Sequence, residues 1–231
     1  MAVYTKLEHK EVDRFLEQYD INNFKDFKEI TEGVENTNYL IKTLGQDYIL
    51  TIYEKRVDEN DLPFFIKLLS ILSENNFPCP KPIPNKNNEK INKIKNKNAA
   101  LVTFLNGHSK TRITIEDCFE IGKITAQLHE ITKKFNIYRK NNLSIESWQS
   151  IFDKIIKQKI DLDESIIKKT KNYLNFLKDK WPKELPQGII HADLFPDNEV
   201  ASLERLIKIL SLSNCSLISS LTSVFHAESA T

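Results

Sequence analysis

The chain has 231 residues, with 33 Lys and Arg against 32 Asp and Glu, for a formal net charge of +1. That length suits one large domain or two small lobes built around a real core. The near-zero charge removes any electrostatic argument for a nucleic-acid or anionic-membrane partner. Cys79, Cys118 and Cys215 are far apart, with no CxxC pair and no Cys/His cluster, so structural zinc is not expected. Sparse cysteine also fits a reducing compartment. The N-terminal stretch MAVYTKLEHKEVDRFLEQY is charged and has no apolar segment of the signal-peptide kind. The most apolar run, 209–225, is too short and too rich in Ser for a membrane span. The expectation is a cytoplasmic protein with no membrane and no nucleic-acid partner.

Residues 8–19 predict an amphipathic helix with Val12, Phe15, Leu16 and Tyr19 on one face. Two β-rich runs follow, Tyr39–Ile41 and Tyr48–Tyr53, flanking a glycine-containing turn at 44–47. That is a hairpin signal. Residues 57–76 read as a helix capped by Asp58, with Pro63 near its first turn. FPCPKPIP (77–84) is broken by prolines and excludes helix. In 85–98, a stretch of Lys and Asn, Asn87-Asn88 reads as a hairpin turn, and Ile91 and Ile94 punctuate a polar edge strand. This stretch has no interleaved aromatics, which again argues against nucleic-acid binding. AALVTFL (99–105) reads as a buried strand. Helical patterns then occupy 114–135, 144–158 and 163–180, and GII (188–190) is a short strand-like run. A β-rich part followed by a helical part is an α+β pattern, and TFLNG at the junction is a candidate hinge.

HADLFPDN (191–198) carries the chemistry. Its spacing is H-x-D-x-x-x-x-N: His191, Asp193, Asn198, with Pro196 excluding a regular helix. One reading is a polar loop whose Asp and Asn cap turns. The other is the catalytic loop of a phosphoryl-transfer enzyme. Such a reaction needs a carboxylate beside the acceptor hydroxyl to take its proton, a role for Asp193. It needs an oxygen donor five residues on for Mg²⁺, a hard cation, and Asn198 offers one. His191 would hold the loop through hydrogen bonds. The order of β-rich part, hinge and helical part favours the second reading.

HADLFPDN resembles the catalytic loop of homoserine kinases of the aminoglycoside-phosphotransferase and choline-kinase-like superfamily. MAVYT, EGVENTNYLI (32–41), YILTIYEKRV (48–57), DLPFFIKLL (61–69), FPCPKPI (77–83), AALVTFLNG (99–107), the run Gly122 to His129 and LPQGIIHADLFPDN (185–198) resemble that family in order and spacing. The resemblance covers residues 1–198. It implies a two-lobed, protein-kinase-like α+β fold. A β-rich nucleotide-binding lobe would occupy 1–105 and a helical lobe with the catalytic loop 106–198. It implies ATP and Mg²⁺ as cofactors, L-homoserine as the small-molecule substrate, and O-phospho-L-homoserine as a product destined for threonine. EGVENTN, with Gly33, would be the turn covering the nucleotide. Thr103, Phe104 and Leu105 would be the hinge facing adenine. Thr51 stands where kinases of this shape carry a phosphate-binding Lys, and Lys55 and Arg56 follow. Lys55 is taken as the candidate, with solvent exposure as the other reading for both. His129 reads as structural.

The family also implies a second metal-binding Asp soon after the catalytic Asn. No Asp follows Asp197, charges thin out, and Ser and Leu take over. The tail 199–231 is therefore expected to lie outside the family pattern and to leave the helical lobe truncated. A frameshift or gene-model error after codon 198 is preferred over a real truncation. Residues 203–210 could form a helix, and 211–231 are expected to be disordered or poorly packed. The chain as written is expected to have little or no kinase activity. The rival functions are another small-molecule alcohol kinase of the same superfamily and a degenerate, non-catalytic nucleotide-binding protein.

Overall fold

The computed structural model describes residues 3–31, 36–54, 58–105, 112–158, 162–182, 184, 187–191 and the backbone of 223–226. The chain opens with helix α1 (His9–Leu16). It is capped by a reciprocal pair in which the Glu8 N–H donates to Glu11 Oε2 at 2.8 Å. Five strands follow, interrupted by one helix: β1 (Phe24–Ile30), β2 (Thr37–Thr43), β3 (Tyr48–Ile52), α2 (Leu62–Glu74), β4 (Asn92–Ile94) and β5 (Lys97–Thr103). They form one antiparallel sheet in the order β1-β2-β3-β5-β4. Three helices come next: α3 (Ile115–Thr132), α4 (Ile145–Lys157) and α5 (Glu164–Lys180). Strand β6 (Gln187–Ile190) leads into the HADLFPDN motif, and β7 (Ser223–His226) pairs with β6 antiparallel.

The α+β expectation holds, and the sheet uses both faces. Alternation along the strands puts Tyr39, Ile41, Leu50, Ile52, Ala99 and Leu101 on one face, packed with Val12, Phe15 and Leu16 of α1. The opposite face carries Ala100, against which Leu62, Phe65 and Ile66 of α2 pack. The far side of α2 is apolar as well. Leu68, Leu69, Ile71 and Leu72 join Phe77, Cys79, Ile121, Ile124, Leu128 and Ile131 and reach Ile189 of β6. One helix therefore ties the sheet to the helical part. Burial also raises the Cys79 thiol to about 12, which makes it an inert core group.

Several expectations shift. The first strand, β1, was not anticipated. The hairpin turn between β4 and β5 is Lys95-Asn96, with φ of 48° and 62°, rather than Asn87-Asn88. Asn88 instead closes an earlier turn, its N–H donating to the Asn85 carbonyl. The first helix ends at Leu16, yet Tyr19 is still buried. Helix 57–76 begins as a 3-10 turn at Glu59–Asp61, capped by Asp58 as expected, and α2 starts with Pro63 in its first turn. Strand β7 falls in a tail expected to be disordered or poorly packed. The helix expected at 203–210 lies outside the described residues.

Candidate active site

The two ends of β3 define the two ends of a candidate cleft. At its start, Tyr48 pairs with Thr103, the last residue of β5. The Thr103 N–H donates to the Lys81 carbonyl at 3.0 Å, and its Oγ1 accepts from the Lys81 N–H at 2.9 Å. The Phe104 N–H donates to the Asp47 carbonyl at 2.9 Å. Two of the three hinge amides are thus already used. Among the described residues no hydrogen bond engages the Phe104 carbonyl or the Leu105 N–H. The two are the ends of one trans peptide between half-buried residues and point opposite ways, so one of them can face the edge of a heterocycle.

At the other end, Ile52 pairs with Thr37, which opens β2 directly after the EGVE segment. Ile52 lies four residues along β3 from Tyr48, about 13 Å away at the ordinary strand rise. Here a buried polar cluster surrounds Glu54. Glu54 Oε1 accepts from Thr5 Oγ1 at 2.6 Å and from Thr37 Oγ1 at 2.8 Å. Its other oxygen is ion-paired with the Lys97 ammonium. The Glu54 N–H donates to Asn36 Oδ1 at 3.2 Å. Burial raises the carboxyl, but the bonds from Lys97, Thr5 and Thr37 outweigh it and hold Glu54 below its ordinary 4.5. Sequence reasoning gave Glu54 no role. The signal was there: Glu54 follows Ile52 by two residues, which places a carboxylate in register with the core face of a strand.

Thr51 stands where a phosphate-binding lysine was looked for. It is buried, and its hydroxyl donates to Asn38 Oδ1 at 2.8 Å on the sheet face shared with Ala100. That position is occupied by a neutral internal pair. His191 is buried just past the end of β6, whose Ile189 sits in the core formed with α2 and α3. The motif therefore departs from a fixed point. Gly33, Lys55, Arg56, Asp193 and Asn198 lie outside the described residues. His129 sits exposed in the last turn of α3, where a basic residue suits the helix dipole.

A second contact links the sheet side to the helices. Arg139, in the segment after α3, donates from Nε to Asp61 Oδ2 at 2.7 Å, beside the start of α2. Its guanidinium also lies over the Phe65 ring at 5.5 Å.

Among the described residues there is no group of three His, Cys, Asp or Glu that could hold a metal ion, and no helix long and apolar enough to cross a membrane.

The chain is 40% identical over 198 residues to a homoserine kinase of Agrobacterium fabrum, covering 86% of this chain and 62% of that protein. It is 42% identical over 210 residues to one of Xanthobacter autotrophicus, covering 91% and 65%. The chain thus spans somewhat less than two thirds of the length of these curated relatives. Among solved structures, a spectinomycin phosphotransferase in complex with ADP and spectinomycin superposes with a TM-score of 0.61 at 14% identity, covering 86% of this chain and 66% of that one. The likeness shows an aminoglycoside-phosphotransferase, kinase-like fold. The phosphotransferase enzyme family profile matches residues 26–204, a span that runs from β1 through the HADLFPDN motif, and the chain belongs to that family.

Proposed function

We propose that this chain transfers the γ-phosphoryl group of ATP to the side-chain hydroxyl of L-homoserine. The observation that carries this reading is the identity of about 40% to homoserine kinases over 198 residues. The nucleotide would lie along β3, adenine at Phe104 and Leu105, and phosphates toward the far end, where the Gly33 turn and Lys55 stand in sequence. Asp193 accepts the hydroxyl proton as the new oxygen–phosphorus bond forms and ADP leaves. His191, anchored by β6, orients the loop. Magnesium would compensate the phosphate charge, and the Asn198 amide oxygen is a donor suited to that hard cation. Residues 1–105 would act as the nucleotide-binding lobe and 106–198 as the helical lobe, with 199–231 outside the pattern. This reading implies a small-molecule partner and a cytoplasmic enzyme.

The test is a coupled ADP-release assay with L-homoserine, choline and an aminoglycoside as acceptors, beside calorimetric binding of Mg·ATP. The expected result is ATP binding and a slow, homoserine-dependent turnover that Asp193→Ala abolishes while leaving ATP binding within about threefold. A preference for choline or the aminoglycoside would favour the rival alcohol-kinase reading. ATP binding with no turnover on any acceptor would favour the non-catalytic one. Turnover that survives Asp193→Ala would remove its role as the base.

A further inference from the structure

The loop that leads into β4 takes its shape from one buried side chain. Asn85 Oδ1 accepts from the Asn87 N–H at 2.9 Å and from the Glu89 N–H at 2.8 Å. Asn85 Nδ2 donates to Asn92 Oδ1 at 2.6 Å, and Asn92 Nδ2 donates to Tyr19 OH at 2.9 Å. All three residues are buried. A satisfied buried polar chain of this kind holds a single loop shape, with Asn88 fixed at φ 63°.

That loop faces α2 across a concavity of about 530 Å³, a size suited to a small molecule. Ile66, Lys67 and Ser70, on one face of α2, line one wall, and Asn88, Lys90 and Ile91 line the other. Lys90 is half-buried, and its ammonium donates to Ser70 Oγ at 2.9 Å. Among the described residues no carboxylate pairs with it. An ammonium has three donors, so two are left for a ligand. Lys67 makes no hydrogen bond or ion pair among the described residues. Glu89 is the acidic residue of the lining, and its Oε2 accepts from Asn85 Nδ2 at 3.0 Å. Two lysines against one glutamate leave the concavity net positive. Ile66 and Ile91 supply apolar surface beside the charges.

We propose that this concavity binds a small organic oxyanion, a carboxylate or a phosphate ester on a short aliphatic body. The anionic head lies at Lys90 and Lys67, and the body lies on Ile66 and Ile91. None of these residues belongs to the cleft along β3, so the proposal stands apart from the kinase reading.

The experiment titrates the isotopically labelled full chain, without nucleotide, and follows the amide chemical shifts. The probes are n-butyrate, n-butyl phosphate, n-butanol and inorganic phosphate. Butyrate or butyl phosphate should shift the amides of 66–70 and 88–91 with a Kd of about 5 mM or tighter. The tighter of the two identifies the head group. Butanol lacks the anion and inorganic phosphate lacks the body, so each should bind about tenfold more weakly. Lys90→Met should weaken the preferred probe about tenfold, because it removes charged hydrogen bonds. Lys67→Gln should also weaken it, and this side chain has no contact whose loss could disturb the fold. It therefore decides the matter if Lys90→Met alters the loop. Absence of shifts at these residues with both butyrate and butyl phosphate overturns the proposal. So does a Kd that the lysine variants leave unchanged, and so does equally tight binding of butanol or of inorganic phosphate.

Discussion

Under the kinase reading, one backbone group would decide which purine the chain prefers. The Thr103 and Phe104 N–H groups are bonded to the Lys81 and Asp47 carbonyls, and among the described residues nothing engages the Phe104 carbonyl or the Leu105 N–H. These two belong to one trans peptide and point opposite ways, so a base edge meets one of them. With the Phe104 carbonyl toward the base, adenine donates to it from N6, whereas guanine opposes it with the O6 acceptor. An unmatched polar group costs about 1–3 kcal/mol when removed from water. GTP should therefore compete for the site about tenfold more weakly than ATP. Displacement of a fluorescent ATP analogue by each nucleotide measures this, and equal competition would show that the hinge backbone is not the reader. The buried strand β5 was legible from an apolar run that leads into Asn106-Gly107 in the sequence. Which amides at its end are bonded was not, because Lys81 and Asp47 come from distant parts of the sequence. The same holds for Thr51. Its place in the strand was readable, but its pairing with Asn38 depends on the register between β2 and β3.

At the scale of elements, the helices were legible because period and caps agree. Thr114 and Asp117 form a reciprocal cap at the start of α3, and Asp163 accepts from the Ser165 N–H at 2.6 Å at the start of α5. Strand β1 was hidden because it is an edge strand with no fully buried residue, so Lys25, Asp26, Lys28 and Glu29 mask any alternation. The run of Lys and Asn before β5 offered two turns of similar composition, and only the pairing of β4 with β5 selects Lys95-Asn96. Both residues there have positive φ, as a two-residue hairpin turn requires. Lys95 also ties down the N-terminal segment through Glu11 at 3.0 Å and the Lys6 carbonyl at 2.8 Å, so it is the residue to keep. Asn96 carries the conformation, and among the described residues its side chain makes no hydrogen bond. Asn96→Gly should stabilise the protein by a few tenths to about 1 kcal/mol by removing the cost of a left-handed side-chain-bearing residue. The urea midpoint should rise with an unchanged slope. A fall would mean that the extra freedom of glycine in the unfolded chain outweighs the relief of strain.

For the whole molecule, the question is whether the sheet part and the helical part unfold separately. The boundary near residue 105 reads as a lobe junction in the sequence, but the packing does not stop there. Leu68, Leu69, Ile71 and Leu72 of α2 are buried against Ile121, Ile124, Leu128 and Ile131 of α3, while the other side of α2 serves the sheet. The Arg139–Asp61 pair adds a polar tie at the start of the same helix. By contrast, α4 and α5 have no buried residue, and Ile166, Tyr173 and Phe176 are exposed. Stability is therefore concentrated in the sheet, α2 and α3. A fragment ending near 105 would expose the α3-facing side of α2, about 1.5–3 kcal/mol for each large side chain returned to water. Leu128, almost fully buried in α3, tests this coupling from the helical side. Leu128→Ala should cost about 2–5 kcal/mol through lost transfer energy and the cavity left behind. If α2 binds the two parts into one cooperative unit, the loss should appear equally in both. Exchange protection of the β3 and β5 amides and of the α3 amides should fall by the same free energy, because both then open only by global unfolding. A variant that loses protection in α3 while β3 and β5 keep theirs would show that the sheet holds its fold alone, and that the lobes are independent units sharing a surface.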